Sequence, residues 1–330
     1  MMDYSTIFAY ILKHMVKKVK KPGDYISPLH MNGLRGRMLH MPAPKGKHRE
    51  LLFVYGHHSS LERWWGVMQD LNQYGAVTMP DLPGFGGMQS FYKIGQKPTI
   101  DNLADYLAAF VKMRYKRKKV TIAGLSFGFV VVTRMLQRYP DLAKKVDLLV
   151  SVVGFAHGDD FTFSRTRRAL YLNGARAFTT APASLFFKNV CLHPLVIRAA
   201  YARTHNAKQK FIGKKSDAYK EIMDFEVHLW HCNDLRTAMY TYVEFLQLDN
   251  CRKQIDLPVW HVSVKADHYF DNDMVEQHMS IIFNKFNSEP SKMDTHAPSV
   301  VADAKTSAAM MPSKIRRLLS EDVYSPAKTK

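Results

Sequence analysis

Val120-Thr121-Ile122-Ala123-Gly124-Leu125-Ser126-Phe127-Gly128 is the stretch that decides the fold. A β-branched run enters a turn flanked by glycines, and Val130-Val131-Val132-Thr133-Arg134-Met135-Leu136 continues beyond it as a helix. Gly124, Ser126 and Gly128 fit G-x-S-x-G in the strand–turn–helix setting that this pattern demands. The reason is steric. A sharp elbow lifts a serine Oγ clear of the sheet, and glycines two residues away let backbones pass where a Cβ would clash.

Working outward, the spacing predicts a series of short buried strands. They are Leu51–Tyr55, Ala76–Met79, Val120–Ala123, Val146–Val153 and Val259–Val264. Helical periodicity falls at Leu61–Tyr74, after Pro98-Thr99, and at Phe127–Tyr139. A hairpin over Tyr25–Met41 turns at Asn32-Gly33, a strong signal for such turns. Strands alternating with helices of this length give a mostly parallel sheet covered on both faces. From Gly154 to about Asn250 the alternation stops, and the sequence becomes helical, aromatic and basic.

A serine hydroxyl is a poor nucleophile until a base takes its proton, and the base needs an orienting carboxylate. In the elbow arrangement the chain order is serine, acid, histidine. Asp267 follows the strand Val259–Val264 by three residues, at the carboxyl end where sheet enzymes place chemistry. His296 lies 29 residues further on, room for one helix and a final strand, and precedes a predicted helix over Val301–Leu319. Asp271 and Asp273 are rival acids. His278 is the fallback base, although it stands too close to Asp267 for helix plus strand. The segment before His296, Asn287 to Met293, is polar and contains a proline, a weak strand signal.

These features resemble the α/β-hydrolase fold, and within it the large capped family of serine hydrolases. The resemblance runs from about Tyr25 to Leu319. Val54-Tyr55-Gly56-His57-His58-Ser59-Ser60 stands where that family carries its oxyanion loop. Asp81-Leu82-Pro83-Gly84-Phe85-Gly86 is similar to its D-x-P-G-x-G loop. Leu257 to Val262 resembles the strand before the acid, and His296-Ala297-Pro298 the segment holding the catalytic histidine. The resemblance implies an α/β architecture: a mostly parallel eight-stranded sheet flanked by helices, with an inserted helical cap. It implies Ser126 as nucleophile, His296 as base and Asp267 as its orienter. The backbone N–H groups of His57 and Phe127 would form the oxyanion hole, with Gly124 and Gly128 as elbow glycines. Tyr55 departs from the family, which usually has histidine there. Met88 replaces a common serine, and the glycine often found before the acid is missing.

The organisation expected is an amphipathic helix at 1–23, the first part of the core at 24–153 and a helical cap at 154–250. The second part of the core follows at 251–319, and a polar tail at 320–330. The function expected is hydrolysis of a carboxylic ester with a hydrophobic acyl or aryl group, through an acyl-enzyme. A thioesterase, an amidase or peptidase, a lactonase and a carbon–carbon hydrolase remain alternatives on the same triad. A hydrolase-like protein that binds ligand or membrane without turnover is the alternative from another class. Rings such as Phe161, Phe163, Phe186 and Phe245 either roof the serine or pack the cap onto the sheet.

Composition bounds the partners. The chain has 330 residues, with 47 Lys+Arg against 29 Asp+Glu, a formal charge of +18. Such a charge favours anionic surfaces, yet no zinc-finger, RNP-type or helix-turn-helix signature accompanies it, so nucleic acid is a poor candidate. In Met1–Lys21 apolar residues recur at helical spacing and Lys17, Lys18, Lys20 and Lys21 follow, a pattern that suits either a leading helix packed on its own core or a helix lying on an anionic membrane. The expectation is therefore a cytoplasmic protein with a small-molecule ester or acyl substrate, and peripheral contact at the inner membrane face through residues 1–21 is one of the two alternatives for that helix. Cys191, Cys232 and Cys251 share no CxxC spacing, which argues against a disulfide scaffold or zinc site. His228 and His231, spaced i, i+3, read as core or cap-lining residues. No metal and no cofactor are called for.

Overall fold

In the computed structural model, residues 20–203, 216–265, 267–293, 295–298 and 302–321 are described. The predicted N-terminal helix and polar tail fall almost wholly outside them. Eight strands form one sheet: β1 (Ile26–Met31), β2 (Leu34–Met41), β3 (Arg49–Val54), β4 (Gly75–Pro80), β5 (Val120–Leu125), β6 (Val146–Val152), β7 (Ile255–Ser263) and β8 (Phe283–Pro290). Their spatial order is β1-β2-β4-β3-β5-β6-β7-β8. β1 and β2 run antiparallel, as do β2 and β4, and every pairing from β4 to β8 is parallel.

The β1–β2 hairpin turns on Asn32 (φ 53°) and Gly33 (φ 76°), the two positive φ values that a tight two-residue turn requires. β3, β4 and β5 are buried at every position. Covered on both faces, they read as continuous apolar runs without alternation. β8 differs. It lies at the sheet edge and exposes Asn284, Lys285 and Glu289 or leaves them partly covered, so its polar sequence and Pro290 are tolerated.

The helices are α1 (Trp65–Asn72), α2 (Ile100–Arg114), α3 (Phe127–Arg138), α4 (Arg165–Phe178), α5 (Ala181–Val190), α6 (Pro194–Arg203), α7 (Ser216–Cys232), α8 (Leu235–Leu246), α9 (Asn272–Ile282) and α10 (Ser313–Ser320). Thr99 caps α2 by accepting a hydrogen bond from Asn102 N. Helices α4 to α8 all lie in the stretch of chain between β6 and β7.

Two expectations need correction. The predicted helix over Val301–Leu319 is broken: a helical turn at Ala304–Ser307 and a 3-10 turn at Ala308–Met310 precede α10. Pro312 separates them from α10, because proline restricts the residue before it and lacks the N–H a continuous helix would use. Leu61–Tyr74 likewise divides into a 3-10 turn at Glu62–Trp64 and then α1.

Parallel strands all point one way. The residues after β3, β5, β6, β7 and β8 therefore gather along one edge of the sheet, where open α/β sheets place ligands.

Candidate active site

Ser126 sits directly after β5 and before the first residue of α3. Its φ of 49° and ψ of −121° are disfavoured for a residue with a Cβ. The turn is held by Ser126 N donating to Val152 O (2.9 Å) and by Phe129 N donating to Ser126 O (2.9 Å). The glycines have a steric cause. A Cβ on Gly128 would stand 2.2 Å from Val54 O, and one on Gly124 would stand 2.7 Å from Phe129 Cα. No side chain fits at those separations, so the serine turn and the chain leaving β3 are in backbone contact.

Asp267 and His296 are brought together. His296 Nδ1 donates to Asp267 Oδ2 at 2.7 Å, and Asp267 Oδ1 accepts from Tyr269 N at 2.8 Å. The carboxylate is 2% exposed and the imidazole 19%, with the rings of Tyr269 and Phe270 against it at 5.0 and 5.4 Å. Burial pushes the Asp267 carboxyl up. The His296 bond and charge, with the amides of Tyr269 and Phe270, outweigh it, and the net shift is downward. Asp267 is thus an anion that fixes the proton on Nδ1, leaving Nε2 as the basic nitrogen.

The rival residues have other partners. Asp271 caps α9, accepting from Asp273 N and Met274 N, and both Asp271 and Asp273 are exposed. His278 bonds Asp160 instead, Nδ1 to Oδ1 at 2.5 Å. Asp160 is fully buried and also accepts from Ala156 N and His157 N, while the His157 ring lies 4.5 Å from that of His278.

The chain leaving β3 carries His57 beside the serine turn. A Cβ on Gly56 would meet Leu125 Cδ2 at 2.9 Å and Ser126 Cβ at 3.4 Å. Among the described residues, no backbone carbonyl engages the N–H groups of His57 or Phe127. The His57 imidazole is occupied: Nε2 donates to Ala238 O (3.1 Å) and lies 3.0 Å from Thr241 Oγ1, both on α8. Burial pushes this imidazole down to about 3, with the neighbouring His58 adding to the shift, so the ring is neutral. Tyr55 earns its place structurally: its hydroxyl donates to Asp81 Oδ1 (2.8 Å) and accepts from Leu82 N (3.1 Å), joining the two loops.

A model of the alpha/beta hydrolase fold matches residues 51–288. The chain belongs to the alpha/beta hydrolase fold family. This hydrolase-fold chain is 28% identical over 170 residues to Protein ABHD8 of Homo sapiens, covering 51% of this chain and 35% of that protein. It therefore spans about a third of the curated relative's length. Among solved structures, the enol-lactonase from Burkholderia xenovorans LB400 is similar at a TM-score of 0.62 with 13% identity, covering 89% of this chain and 100% of that one. A thermophilic esterase from Thermogutta terrifontis is similar at 0.58 with 15% identity, covering 90% and 98%. Likeness at such identities establishes the fold and leaves the reaction open.

Several residues at this edge of the hydrolase fold escaped the sequence reading. Arg63, on the turn after the His57 loop, donates from Nη2 to Pro298 O (3.3 Å), two residues past His296. Its guanidinium stands 5.1 Å from the Trp64 ring, and burial pushes its pKa down against the opposing charge of Glu226 on α7. Nothing in the local sequence of Arg63 marks it, since its contacts come from distant segments. His228 and His231 are exposed rather than core or cap-lining. Among the described residues, no group of three His, Cys, Asp or Glu is placed to hold a metal, and no helix is long and apolar enough to cross a membrane.

Proposed function

We propose that the protein is a serine hydrolase acting on a carboxylic ester through an acyl-enzyme. The observation that carries this reading is the His296–Asp267 pair at 2.7 Å, on the same sheet edge as Ser126 in its strained turn. Two strand spacings separate the ends of β5 and β7, roughly 10 Å, a gap an imidazole bridges when it reaches from Asp267 toward the serine. His296 Nε2 takes the Ser126 proton as Oγ attacks the carbonyl carbon. The tetrahedral oxyanion is held by the N–H groups of Phe127 and His57, each contributing about 2.7–4 kcal/mol to the transition state. The proton then passes to the leaving oxygen, and water, activated by the same imidazole, releases the acid.

The acyl or aryl group is hydrophobic in this reading. Phe127 packs in a ring cluster with Phe85, His57 and Phe245, and Phe245 continues it to Phe155, Phe161 and Tyr242. The helices between β6 and β7 supply Phe245 and Tyr242 and would roof the serine. An apolar wall with few polar groups suits such a ligand. Thioester, amide and carbon–carbon substrates share this chemistry and are separated by a leaving-group screen.

Labelling by a fluorophosphonate probe tests the proposal. Wild type labels, and Ser126→Ala and His296→Ala do not. Labelling that survives Ser126→Ala, or folded wild type that resists the probe and cleaves no ester, overturns it.

A further inference from the structure

Helices α4, α5 and α6 invert the usual pattern of burial. A helix seated on its own core turns its large apolar residues inward. Here α4 buries Ala175 and α5 buries Ser184. Leu170, Leu185, Phe186, Val190 and Leu195 are instead 70, 61, 65, 51 and 70% exposed, with Val196 beside them at 45%. Leu192 and Ile197, on the link between α5 and α6 and on α6, do turn inward at 4% each. The α5–α6 pair is therefore anchored from beneath, and its outer side remains greasy. Exposed apolar surface of this kind marks an interaction site.

The charge says what it meets. From Phe161 to Arg203 the chain contains seven Lys or Arg and no Asp or Glu, although Arg168 and Arg198 are paired with Asp159 and Asp224 from outside the stretch. Arg165, Arg167 and Lys188 are exposed on the same helices. A second copy of the chain is a poor occupant, because a two-fold interface would set this stretch against itself, and it holds no carboxylate for the partner's cations to meet. Anionic lipid headgroups complement the cations, and the acyl boundary beneath them accommodates the apolar side chains.

We propose that the outer face of α4–α6 docks onto an anionic lipid surface, with Leu185, Phe186 and Val190 entering the interface. This surface is built from other residues than 1–21, and the proposal stands whether or not the hydrolytic reading does. Docking would set the helices between β6 and β7, and not the opposite end of the sheet, against the membrane.

The test is co-sedimentation of the full-length protein with phosphatidylcholine vesicles, with and without phosphatidylserine. Wild type binds the phosphatidylserine vesicles, and rising salt weakens the binding. Leu185→Ser with Phe186→Ser lowers the partition coefficient roughly tenfold or more, since each buried methylene strengthens interfacial binding. Both side chains are exposed, so the double variant keeps its melting temperature. Lys188→Glu weakens binding to phosphatidylserine vesicles and leaves binding to phosphatidylcholine alone unchanged. The proposal is overturned by wild type that ignores both vesicles, or by a double variant that binds as wild type does. It is also overturned if deleting residues 1–21 abolishes binding that the double variant retains. Sedimentation velocity tests the second copy: a wild-type dimer that the double variant dissociates assigns the face to self-association and overturns the proposal.

Discussion

The molecule contains two histidine–carboxylate pairs of almost the same local form. His296 meets Asp267 at 2.7 Å and His278 meets Asp160 at 2.5 Å, each through Nδ1, with imidazoles 19% and 16% exposed. Their surroundings part them. Asp160 is fully buried, its Oδ2 accepts from the amides of Ala156 and His157, and the ring of its partner His278 lies tilted against that of His157 at 4.5 Å. Asp267 follows β7 at the edge where Ser126 emerges. A histidine–aspartate hydrogen bond is thus no signature of catalysis. What counts is what else stands along the same edge of the sheet, and the Asp267 pair shares that edge with the Ser126 turn.

The largest expected effect separates the pairs outright. His296→Ala lowers ester turnover by about 10⁴–10⁶-fold, as losses within a catalytic triad do. His278→Ala leaves turnover within a few-fold; equal losses in steady-state assays would erase the distinction. Stability does not separate them. Asp160→Asn and Asp267→Asn each cost about 3 kcal/mol by denaturant unfolding, because a buried carboxylate accepting several bonds is weakened. Only Asp267→Asn also acts on rate, through the wrong imidazole tautomer, by roughly 10⁴-fold.

Smaller effects sharpen the picture. His57→Phe keeps an aromatic ring, though a larger one, and loses the donor to Ala238 O, so kcat falls about tenfold while the Ser126 turn remains. Unchanged kcat would mean that the imidazole does not position the loop. Acid stability is the subtlest readout. Burial lowers His57 to about 3 and His261 to about 4, against 6.5 for a free imidazole. The unfolded chain then binds protons that the folded chain refuses. Their contribution is whole above pH 6.5 and is lost as pH falls toward 4, about 1.4 kcal/mol per pH unit for each proton. His261→Asn flattens this slope in melting curves taken between pH 4 and 7; an unaltered slope refutes the assignment.

Much of this could be read in the sequence, for reasons that are local. The elbow at Gly124–Gly128 is legible because backbone sterics dictate its residues, and the buried strands because each is a short apolar run. The pairing of Asp267 with His296 is legible through chain order. The partners of Asp160 and His278 were not, since they stand 118 residues apart and neither belongs to a motif. The buried network of Arg63 was missed for the same reason. The broken helix after His296 was misread because alanines and leucines on both sides of Pro312 carry one continuous helical period.

The neutral His57 ring has a consequence for how such a protein diversifies. Its grip on the Ala238 carbonyl hooks the loop after β3 to a helix that enters the chain far downstream. The inserted helices are therefore not an interchangeable module. A transplanted insertion that brought neither a carbonyl to the position of Ala238 nor a hydroxyl to that of Thr241 would leave the imidazole without a partner, and the loop would be free to drift. Swapping insertions between relatives would then change two properties at once, the shape of the inserted helices and the poise of the loop after β3.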